Sequence, residues 1–324
     1  MSKGWSSEDM PDQSGRTVVV TGGNSGIGQI ECRELARRGA RVIVACRNES
    51  KGEAAVAQIR SALGSAGDAA KIEVRRLDLA SLESIREFAE ALESELPDGL
   101  DLLINNAGVM ATPRLETEDG FELQIGTNHL GHFALTGRLF EALKKKPDSR
   151  IVTVSSIAAR MGKLDFDDLH GRKSYRRWQA YGQSKLANLV FALDLQAMIT
   201  EAGLDMKSIA AHPGVAATNL TTAGNDLDPG LMGTLSKPFL KLNDLLIAQD
   251  AEAGALPVLR AATDPGLAGG SYIGCDGPGQ TRGKPVVVAP RGLALNREVA
   301  GKLWQSSTEA TGVEYDFNPV TTAA

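Results

Sequence analysis

Short apolar runs alternate with stretches of helical periodicity along most of this 324-residue chain. The apolar runs are rich in Val and Ile and contain few polar interruptions, which is typical of strands buried on both faces of a parallel sheet. We interpret seven runs as strands, namely 17–20, 42–44, 72–74, 102–104, 151–154, 208–210 and 272–273. Between them, apolar residues recur at helical spacing, as at Ile85, Phe88, Ala89 and Leu92.

Alternating strands and helices indicate an α/β fold whose parallel sheet is covered by helices. We predict a single doubly wound, Rossmann-type domain with a mostly seven-stranded parallel sheet. Residues 1–15 are expected to form a flexible N-terminal segment, 16–276 the α/β domain, and 277–324 a C-terminal extension packed on the same domain.

Two segments interrupt this alternation of apolar runs and helical stretches. Both follow strand ends, where ligands bind in open α/β sheets. The segment 157–180 has mixed charge, and the segment 217–250 is rich in leucine. We predict that 217–250 is a mobile substrate lid, and plain packing or an oligomer contact is the alternative. Further helices are expected near 294–309 and from about Phe121, the latter including Asn128.

A glycine-rich turn, Thr-Gly-Gly-Asn-Ser-Gly-Ile-Gly at 21–28, joins the first strand to a helix. Glycines permit a tight turn and a close backbone approach, and a helix N-terminus attracts anions. Its spacing differs from GxGxxG, so a turn without a ligand is the alternative. The strand before it and the helix after it favour a dinucleotide pyrophosphate site in the domain 16–276, formed by Gly22, Asn24, Ser25, Gly26, Ile27 and Gly28.

The end of the second strand reads Ala-Cys-Arg-Asn at 45–48. NAD sites often place an acid here, whereas the 2′-phosphate of NADP requires a base. Arg47 and Asn48 therefore predict NADP (NADPH), with a solvated surface arginine as the alternative. Asp78–Leu79 and Asn105–Gly108 follow the third and fourth strands and are candidates for the adenine and ribose pocket, although each, taken alone, is better explained as a helix cap or turn.

Tyr181 and Lys185 are four residues apart and share one face of a predicted helix. A neighbouring ammonium favours phenolate and lowers the phenol pKa, which makes Tyr181 a candidate acid and base. Ser155 and Ser156 end the fifth strand, where a hydroxyl can donate to a substrate oxygen as charge develops. Asn128 is unfavourable within a helix unless something uses its amide, and a satisfied core amide is the alternative.

Composition narrows the possible functions. The net charge of −5 argues against a nucleic-acid surface. The three cysteines form neither a metal motif nor a disulfide framework, and the four histidines have no metal-ligand spacing, so no metal is expected. Residues 1–16 are polar, and no window reaches the apolar length of a membrane span, so we expect a cytoplasmic protein without a transmembrane segment.

Taken in order, the motifs resemble those of the short-chain dehydrogenase/reductases over almost the whole chain. The matching pieces are residues 21–28, Asn105–Gly108, Asn128, Ser156, Tyr181 with Lys185, and Pro213–Gly214. Finer features resemble the retinol-dehydrogenase branch, namely 45–47, the insert before Tyr181, 184–188 and 212–215. Membrane-bound members of that branch carry an N-terminal anchor that this sequence lacks, so we expect a relative acting on another carbonyl or alcohol.

The resemblance implies a role for each matching residue. Tyr181 would exchange a proton with the substrate oxygen, Lys185 would lower its pKa and bind the nicotinamide ribose, and Ser156 would orient the substrate. Asn128 would hold a water that links Lys185 to solvent. The remaining cofactor contacts implied are Asp78, Leu79, Asn105, Ala107, Gly108, Pro213, Gly214, Val215 and Thr218, with Thr218 at the carboxamide.

We therefore predict an NADP-dependent oxidoreductase that transfers hydride between the nicotinamide and an alcohol, aldehyde or ketone, with lipophilic substrates favoured and a homo-oligomer possible. The alternatives are a carbon–carbon double-bond reductase of the same fold and a non-catalytic NADP-binding sensor or scaffold. A sugar-nucleotide epimerase shares the Tyr and Lys, but its usual glycine spacing differs and its substrate lobe is larger.

Overall fold

The computed structural model describes residues 4–215 and 250–319, in which eight strands form one sheet. The order across the sheet is β3-β2-β1-β4-β5-β6-β7-β8, and all neighbours are parallel except the antiparallel pair β7 and β8. The prediction of a doubly wound parallel sheet is confirmed. The strands are β1 (Thr17–Thr21), β2 (Arg41–Cys46), β3 (Ile72–Arg76), β4 (Leu102–Asn105), β5 (Ser149–Val154), β6 (Met206–Ala211), β7 (Tyr272–Cys275) and β8 (Pro285–Val287).

The predicted count of seven strands is corrected to eight, because the sequence analysis assigned β8 to the C-terminal extension. β8 has only three residues, and Pro285 opposite Cys275 begins it. Proline lacks an N–H and is tolerated at the start of an edge strand, so this short run gives little strand signal. The antiparallel pairing places the first part of the extension in the sheet itself.

Helices cover both faces of the sheet. Those in the described residues are α1 (Gly26–Arg37), α2 (Glu49–Leu63), α3 (Leu82–Glu95), α4 (Leu123–Ile125), α5 (Gly131–Arg138), α6 (Phe140–Lys144), α7 (Arg177–Glu201), α8 (Ala251–Thr263) and α9 (Arg297–Thr311). Several begin at polar caps: the Asn48 side chain accepts from Lys51 N at 2.9 Å to start α2, and Asn296 caps α9 in the same way. α9 corresponds to the helix predicted at 294–309.

Alternate residues of each strand enter opposite cores, because successive side chains point to opposite faces. Val18 and Val20 of β1 belong to one core cluster, together with residues of α1, α2 and α8. Val19 belongs to the other, with residues of α3, α5, α6 and α7. These β1 side chains are completely buried, which explains why the strand reads as an unbroken apolar run.

The helix that contains Asn128 differs from the prediction. It starts at Leu123 rather than near Phe121, and α4 and α5 are separated by a π-helix over Gly126–Leu130. The Gly131 N–H bonds to the Gly126 carbonyl, which gives the wider π-type turn. Short π segments inside α-helices are frequent at functional sites.

The described ends of the chain pack on the sheet domain. Met10 is only 2 % exposed and belongs to the core, and Arg38 donates to the Ser7 and Glu8 carbonyls. Beyond α9, the Tyr315 hydroxyl donates to the Phe133 carbonyl at 2.7 Å. The proposed division into 1–15, 16–276 and 277–324, including flexibility of the first segment, stays a prediction.

Candidate active site

The site lies where the strand order reverses, because β1 has β2 on one side and β4 on the other. Crevices of open α/β sheets form at such switch points, outside the carboxyl ends of the strands. The glycine-rich turn leaves β1 here and leads into α1. Gly22 and Gly26 both have left-handed backbones, with φ of 67° and 54°, a conformation that favours glycine.

A glycine is required at position 28 because Asn106 and Gly22 occupy the space that a side chain would need. A Cβ at this position would lie 2.5 Å from Asn106 Nδ2 and 2.6 Å from the Gly22 carbonyl oxygen. Only glycine lets the first turn of α1 pack this tightly on the glycine turn and on the loop after β4. The α1 N–H groups consequently face the crevice, where they can bind an anion.

A cavity of about 220 Å³ opens at this point. It brings together predicted residues that are far apart in sequence, from the glycine turn, from the loop after β4, from α7 and from the end of β6. The predicted residues in its wall are Gly22, Asn24, Ser25, Gly26, Ile27, Gly28, Ala107, Gly108, Tyr181, Lys185 and Pro213.

Tyr181 and Lys185 lie in that wall on one face of α7, and both are buried. Lys185 Nζ donates to the Val154 carbonyl at 3.1 Å, and burial lowers the pKa of this ammonium to about 8. Burial raises the pKa of the Tyr181 phenol, whereas a hydrogen bond with Ser156 lowers it. The two groups thus share a desolvated environment, which disfavours the charged form of each.

Ser156 is held by local structure at the end of β5. Its side chain caps a 3₁₀ turn, Ile157–Met161, by accepting from Ala158 N at 3.2 Å. The preceding Ser155 is turned inward, and its hydroxyl donates to the Lys185 carbonyl at 2.7 Å. Of the two serines, Ser156 is therefore the one whose hydroxyl interacts with Tyr181.

Both polar atoms of the Asn128 side-chain amide form hydrogen bonds within the protein. Its Oδ1 accepts from Val109 N at 2.8 Å, and its Nδ2 donates to the Val109 carbonyl and to Ser184 Oγ, each at 2.9 Å. The side chain thus ties the loop after β4 to α7, one residue before Lys185. This explains how a residue that is unfavourable within a helix is accommodated.

The predicted residues at the ends of β2 and β3 lie outside the wall of the cavity. Arg47 has a side chain that is 75 % exposed, and its Nε is 4.0 Å from Asp78 Oδ2. Asn48 caps α2, and Leu79 is buried. Asp78 accepts from Ala80 N at 3.0 Å. Arg47 and Asp78 therefore come together, although their strands are separated in sequence.

Asn105 also lies outside the wall, because its amide is fully buried and donates to Thr136 Oγ1 at 2.9 Å. Its neighbour Asn106 contributes to the wall instead, as do Val109, Val154 and Ser155. Sequence reasoning missed Val109 and Val154, whereas Asn106 lies in the predicted segment Asn105–Gly108 and Ser155 was considered together with Ser156. Each is adjacent to a predicted residue, so the strand ends were located correctly, but the direction of each side chain depends on the loop conformation.

The end of β6 is ordered by His212 and the loop after β7. Gly214 has φ of 69°, its N–H donates to His212 Nδ1, and Val215 N donates to the Thr281 carbonyl at 2.7 Å. Thr218 and nearly all of the predicted lid 217–250 lie outside the described residues. The lid stays a prediction.

Residues 4–215 and 250–319 contain no group of three or more His, Cys, Asp or Glu side chains that could share a metal ion. In the same residues, no helix has both the length and the apolar character needed to cross a bilayer.

Comparison with known proteins decides the family. The model of the short chain dehydrogenase family matches residues 16–227. The chain belongs to the short-chain dehydrogenase family. It is 41 % identical to mouse retinol dehydrogenase 12 over 93 % of this chain and 88 % of that protein, and 42 % identical to human retinol dehydrogenase 13 over 93 % and 86 %. Resemblance to the retinol-dehydrogenase branch is confirmed.

Solved structures agree with this assignment. A protein of unknown function from Mycobacterium paratuberculosis is 42 % identical with a TM-score of 0.78, covering 97 % of this chain and all of that one. The Pseudomonas aeruginosa RhlG complex with NADP is 25 % identical with a TM-score of 0.61, over 82 % of this chain and 97 % of that one. The chain is thus an oxidoreductase of a family that acts on CH–OH groups and uses NAD or NADP.

Proposed function

We propose that the protein transfers hydride between NADP(H) and a lipophilic alcohol or carbonyl compound, with Tyr181 as the general acid and base. The observation that carries this proposal is the position of Tyr181 and Lys185. They are buried together in the wall of the cavity that the glycine turn borders. A phenol and an ammonium in one desolvated pocket are suited to proton transfer beside a bound dinucleotide.

The residues of the crevice fit such a cofactor. Gly28 leaves room for backbone near the pyrophosphate, and the α1 N-terminus supplies N–H donors. Arg47 supports NADP over NAD, because its exposed guanidinium stands at the end of β2 and can bind a 2′-phosphate. The related RhlG structure, which is a complex with NADP, agrees with this choice. We assign cofactor contacts to Gly22, Asn24, Ser25, Gly26, Ile27, Gly28, Arg47, Asn48, Asp78, Leu79, Asn105, Ala107, Gly108, Tyr181, Lys185, Pro213, Gly214, Val215 and Thr218.

The chemistry of hydride transfer is supplied by the nicotinamide when it is bound. The chain supplies the proton and the geometry. In reduction, the Tyr181 hydroxyl gives its proton to the substrate oxygen, and in oxidation the phenolate removes it. Ser156 donates a hydrogen bond to the same oxygen, which stabilises its developing charge.

Lys185 is assigned an electrostatic role. Burial alone raises the pKa of Tyr181, so a phenolate in this pocket needs a compensating cation. Lys185 is the ammonium in the same cavity wall, and its side chain reaches the pocket from the next turn of α7. Asn128 fixes the loop before Val109 against α7 and so holds the pocket in shape. A water held there, linking Lys185 to solvent, is part of this proposal.

An apolar substrate is supported by the surface next to Tyr181. Trp178 lies one turn earlier on α7 and is 54 % exposed, so it presents apolar surface beside Tyr181. It meets the Tyr181 ring edge-on, with centroids 6.1 Å apart. Relatives named for retinol and polyprenol, both long apolar alcohols, agree with this preference.

Turnover with defined substrates tests the proposal. The purified protein is assayed with NADPH, NADP and their NAD counterparts against aldehydes, ketones and secondary alcohols from short and polar to long and apolar. We expect activity with NADPH and long apolar carbonyls. Reduction of only the carbon–carbon bond of an unsaturated ketone would favour the alternative reductase, and NADPH binding without any turnover would favour a sensor.

Tyr181→Phe is the decisive variant. It removes the hydroxyl that transfers the proton but leaves the buried ring, so turnover should disappear while NADPH affinity stays nearly unchanged. Near-normal turnover would exclude Tyr181 as the acid. A cytoplasmic location and a homo-oligomer complete the proposal, and fractionation and sedimentation measure them.

A further inference from the structure

A buried histidine joins two parts of the candidate site. His132 follows Asn128 by four residues and is 1 % exposed. Its Nδ1 lies 2.9 Å from the Asn128 backbone oxygen, and its Nε2 lies 2.9 Å from Thr21 Oγ1. One imidazole thus connects the π-helix that contains Asn128 with the last residue of β1, where the glycine turn begins.

The positions of the hydrogens in these two hydrogen bonds follow from which groups can donate and which can accept. The Asn128 carbonyl can only accept, so Nδ1 must carry the hydrogen. Burial lowers the pKa of His132 to about 3, so the ring is neutral near physiological pH and Nε2 is an acceptor. The Thr21 hydroxyl therefore donates to Nε2 at 2.9 Å in preference to the more distant Ile104 carbonyl at 3.3 Å, which leaves its two lone pairs free to accept.

Those lone pairs hold the loop after β4. Thr21 Oγ1 lies 2.9 Å from Asn106 N and 3.0 Å from Ala107 N, and both N–H groups donate to it. The far end of the same loop is held at Val109 by the Asn128 side chain. The loop residues between these two anchors line the cofactor cavity. Both anchors are bonded to the same imidazole ring.

We propose that His132 is a positioning residue that holds the cofactor-binding turn and the Asn128 segment in fixed register through Thr21 and Asn128. This inference rests on the proposed function of the cavity. His132 contacts neither substrate nor cofactor. It acts by orienting the Thr21 hydroxyl, which in turn sets the loop that lines the cavity.

His129 provides a matched control, because it lies in the adjoining π-helix, three residues before His132, and is equally buried. Burial lowers its pKa to about 3 as well. Its Nε2 bonds to Ser307 Oγ of α9 at 2.8 Å, on the side away from the glycine turn. A role in core packing alone predicts the same consequences for both histidines, whereas a positioning role predicts a difference.

The test compares His132→Phe, His132→Gln and His129→Phe by NADPH titration, using protein fluorescence, and by thermal unfolding. Both Phe variants should unfold at lower temperature. We expect His132→Phe to weaken NADPH binding about tenfold, since the loop loses its anchor. His132→Gln can place an amide oxygen near the position of Nε2, so it should stay within about threefold of the wild type. His129→Phe should stay within about twofold.

A second variant gives the same information if His132→Phe does not fold. Thr21→Val keeps the shape of the side chain but removes the hydroxyl, and it should weaken NADPH binding by a similar factor. Thr21→Ser, which keeps the hydroxyl, should not. Combining Thr21→Val with His132→Gln should add little, because both act through one bond.

Equal NADPH affinity of the wild type, His132→Phe and Thr21→Val would overturn the inference, as would an equal loss in His129→Phe. These titrations need no turnover. A protein that binds NADPH as described but reduces no carbonyl would therefore contradict the proposed function while leaving the role of His132 supported.

Discussion

Glu31 offers a test of the electrostatics of the fold, because it is a buried carboxyl in α1, the helix that follows the glycine turn. It is 0 % exposed, and neither of its oxygens has a hydrogen-bond partner among the described residues. Burial raises its pKa from an ordinary 4.5 to about 8. Between these values the folded state binds more protons than the unfolded state, so stability must fall as pH rises.

The size of the effect follows from these two values. A pKa difference of one unit corresponds to about 1.4 kcal/mol, so the interval between 4.5 and 8 corresponds to about 5 kcal/mol above pH 8. At pH 5 most of this cost is absent, because the folded carboxyl is protonated. Glu31→Gln removes the ionisation but keeps the shape. Its stability relative to wild type should rise by about 4 kcal/mol between pH 5 and pH 8.5.

Urea unfolding of both proteins at pH 5, 7 and 8.5 measures this difference. Glu34→Gln is the control, because Glu34 is on the same helix but accepts from Arg33 Nε at 2.9 Å and Arg37 Nε at 2.8 Å. Its loss should destabilise the protein, with no gain that grows with pH. If the advantage of Glu31→Gln is the same at pH 5 and pH 8.5, Glu31 is not a buried, unpaired acid and the reasoning fails.

Two further predictions concern the active site. Arg47→Ala should weaken NADPH binding about tenfold or more and leave NADH nearly unchanged, because only NADPH carries the 2′-phosphate; equal losses for both cofactors would refute this role. Reduction should decline as pH rises through about 8, since Lys185 loses its proton there. Arginine stays charged at this pH, so the residual activity of Lys185→Arg should decline only at higher pH. If the alkaline decline of this variant occurs at the same pH as in the wild type, another group is responsible for it.

Local patterns in the sequence predicted most of the fold. β1, β2, β4 and β5 are buried on both faces, so each appears as a continuous apolar run that is readable without any tertiary information. The glycine turn is partly local, because Gly22 needs a left-handed backbone, whereas Gly28 needs space against both Gly22 and the distant Asn106. The spacing of Tyr181 and Lys185 on one helix follows from helical geometry alone.

Tertiary structure decided the features that depend on partners distant in sequence. β8 has too few residues to give a periodic signal and exists because β7 offers an edge to pair with. The inward turn of Asn105 and the outward turn of Asn106 depend on Thr136 and Thr21, which lie on other elements. The hydrogen bonds that link Thr21 to His132 and His132 to Asn128 connect Thr21 with residues more than a hundred positions away, so no local pattern reveals this connection.

The pKa of Tyr181 likewise depends on one contribution that the sequence predicts and on one that only the fold provides. The sequence placed a cation near Tyr181 and so predicted a lowered phenol pKa, but the fold adds a desolvation that raises it. Desolvation depends on everything that packs around a group, whereas helical spacing fixes only one neighbour. The sequence by itself predicted that the glycine turn, Tyr181 and Lys185 meet at one site. The tertiary structure decided which neighbouring side chains join them and how buried, and therefore how acidic or basic, each group is.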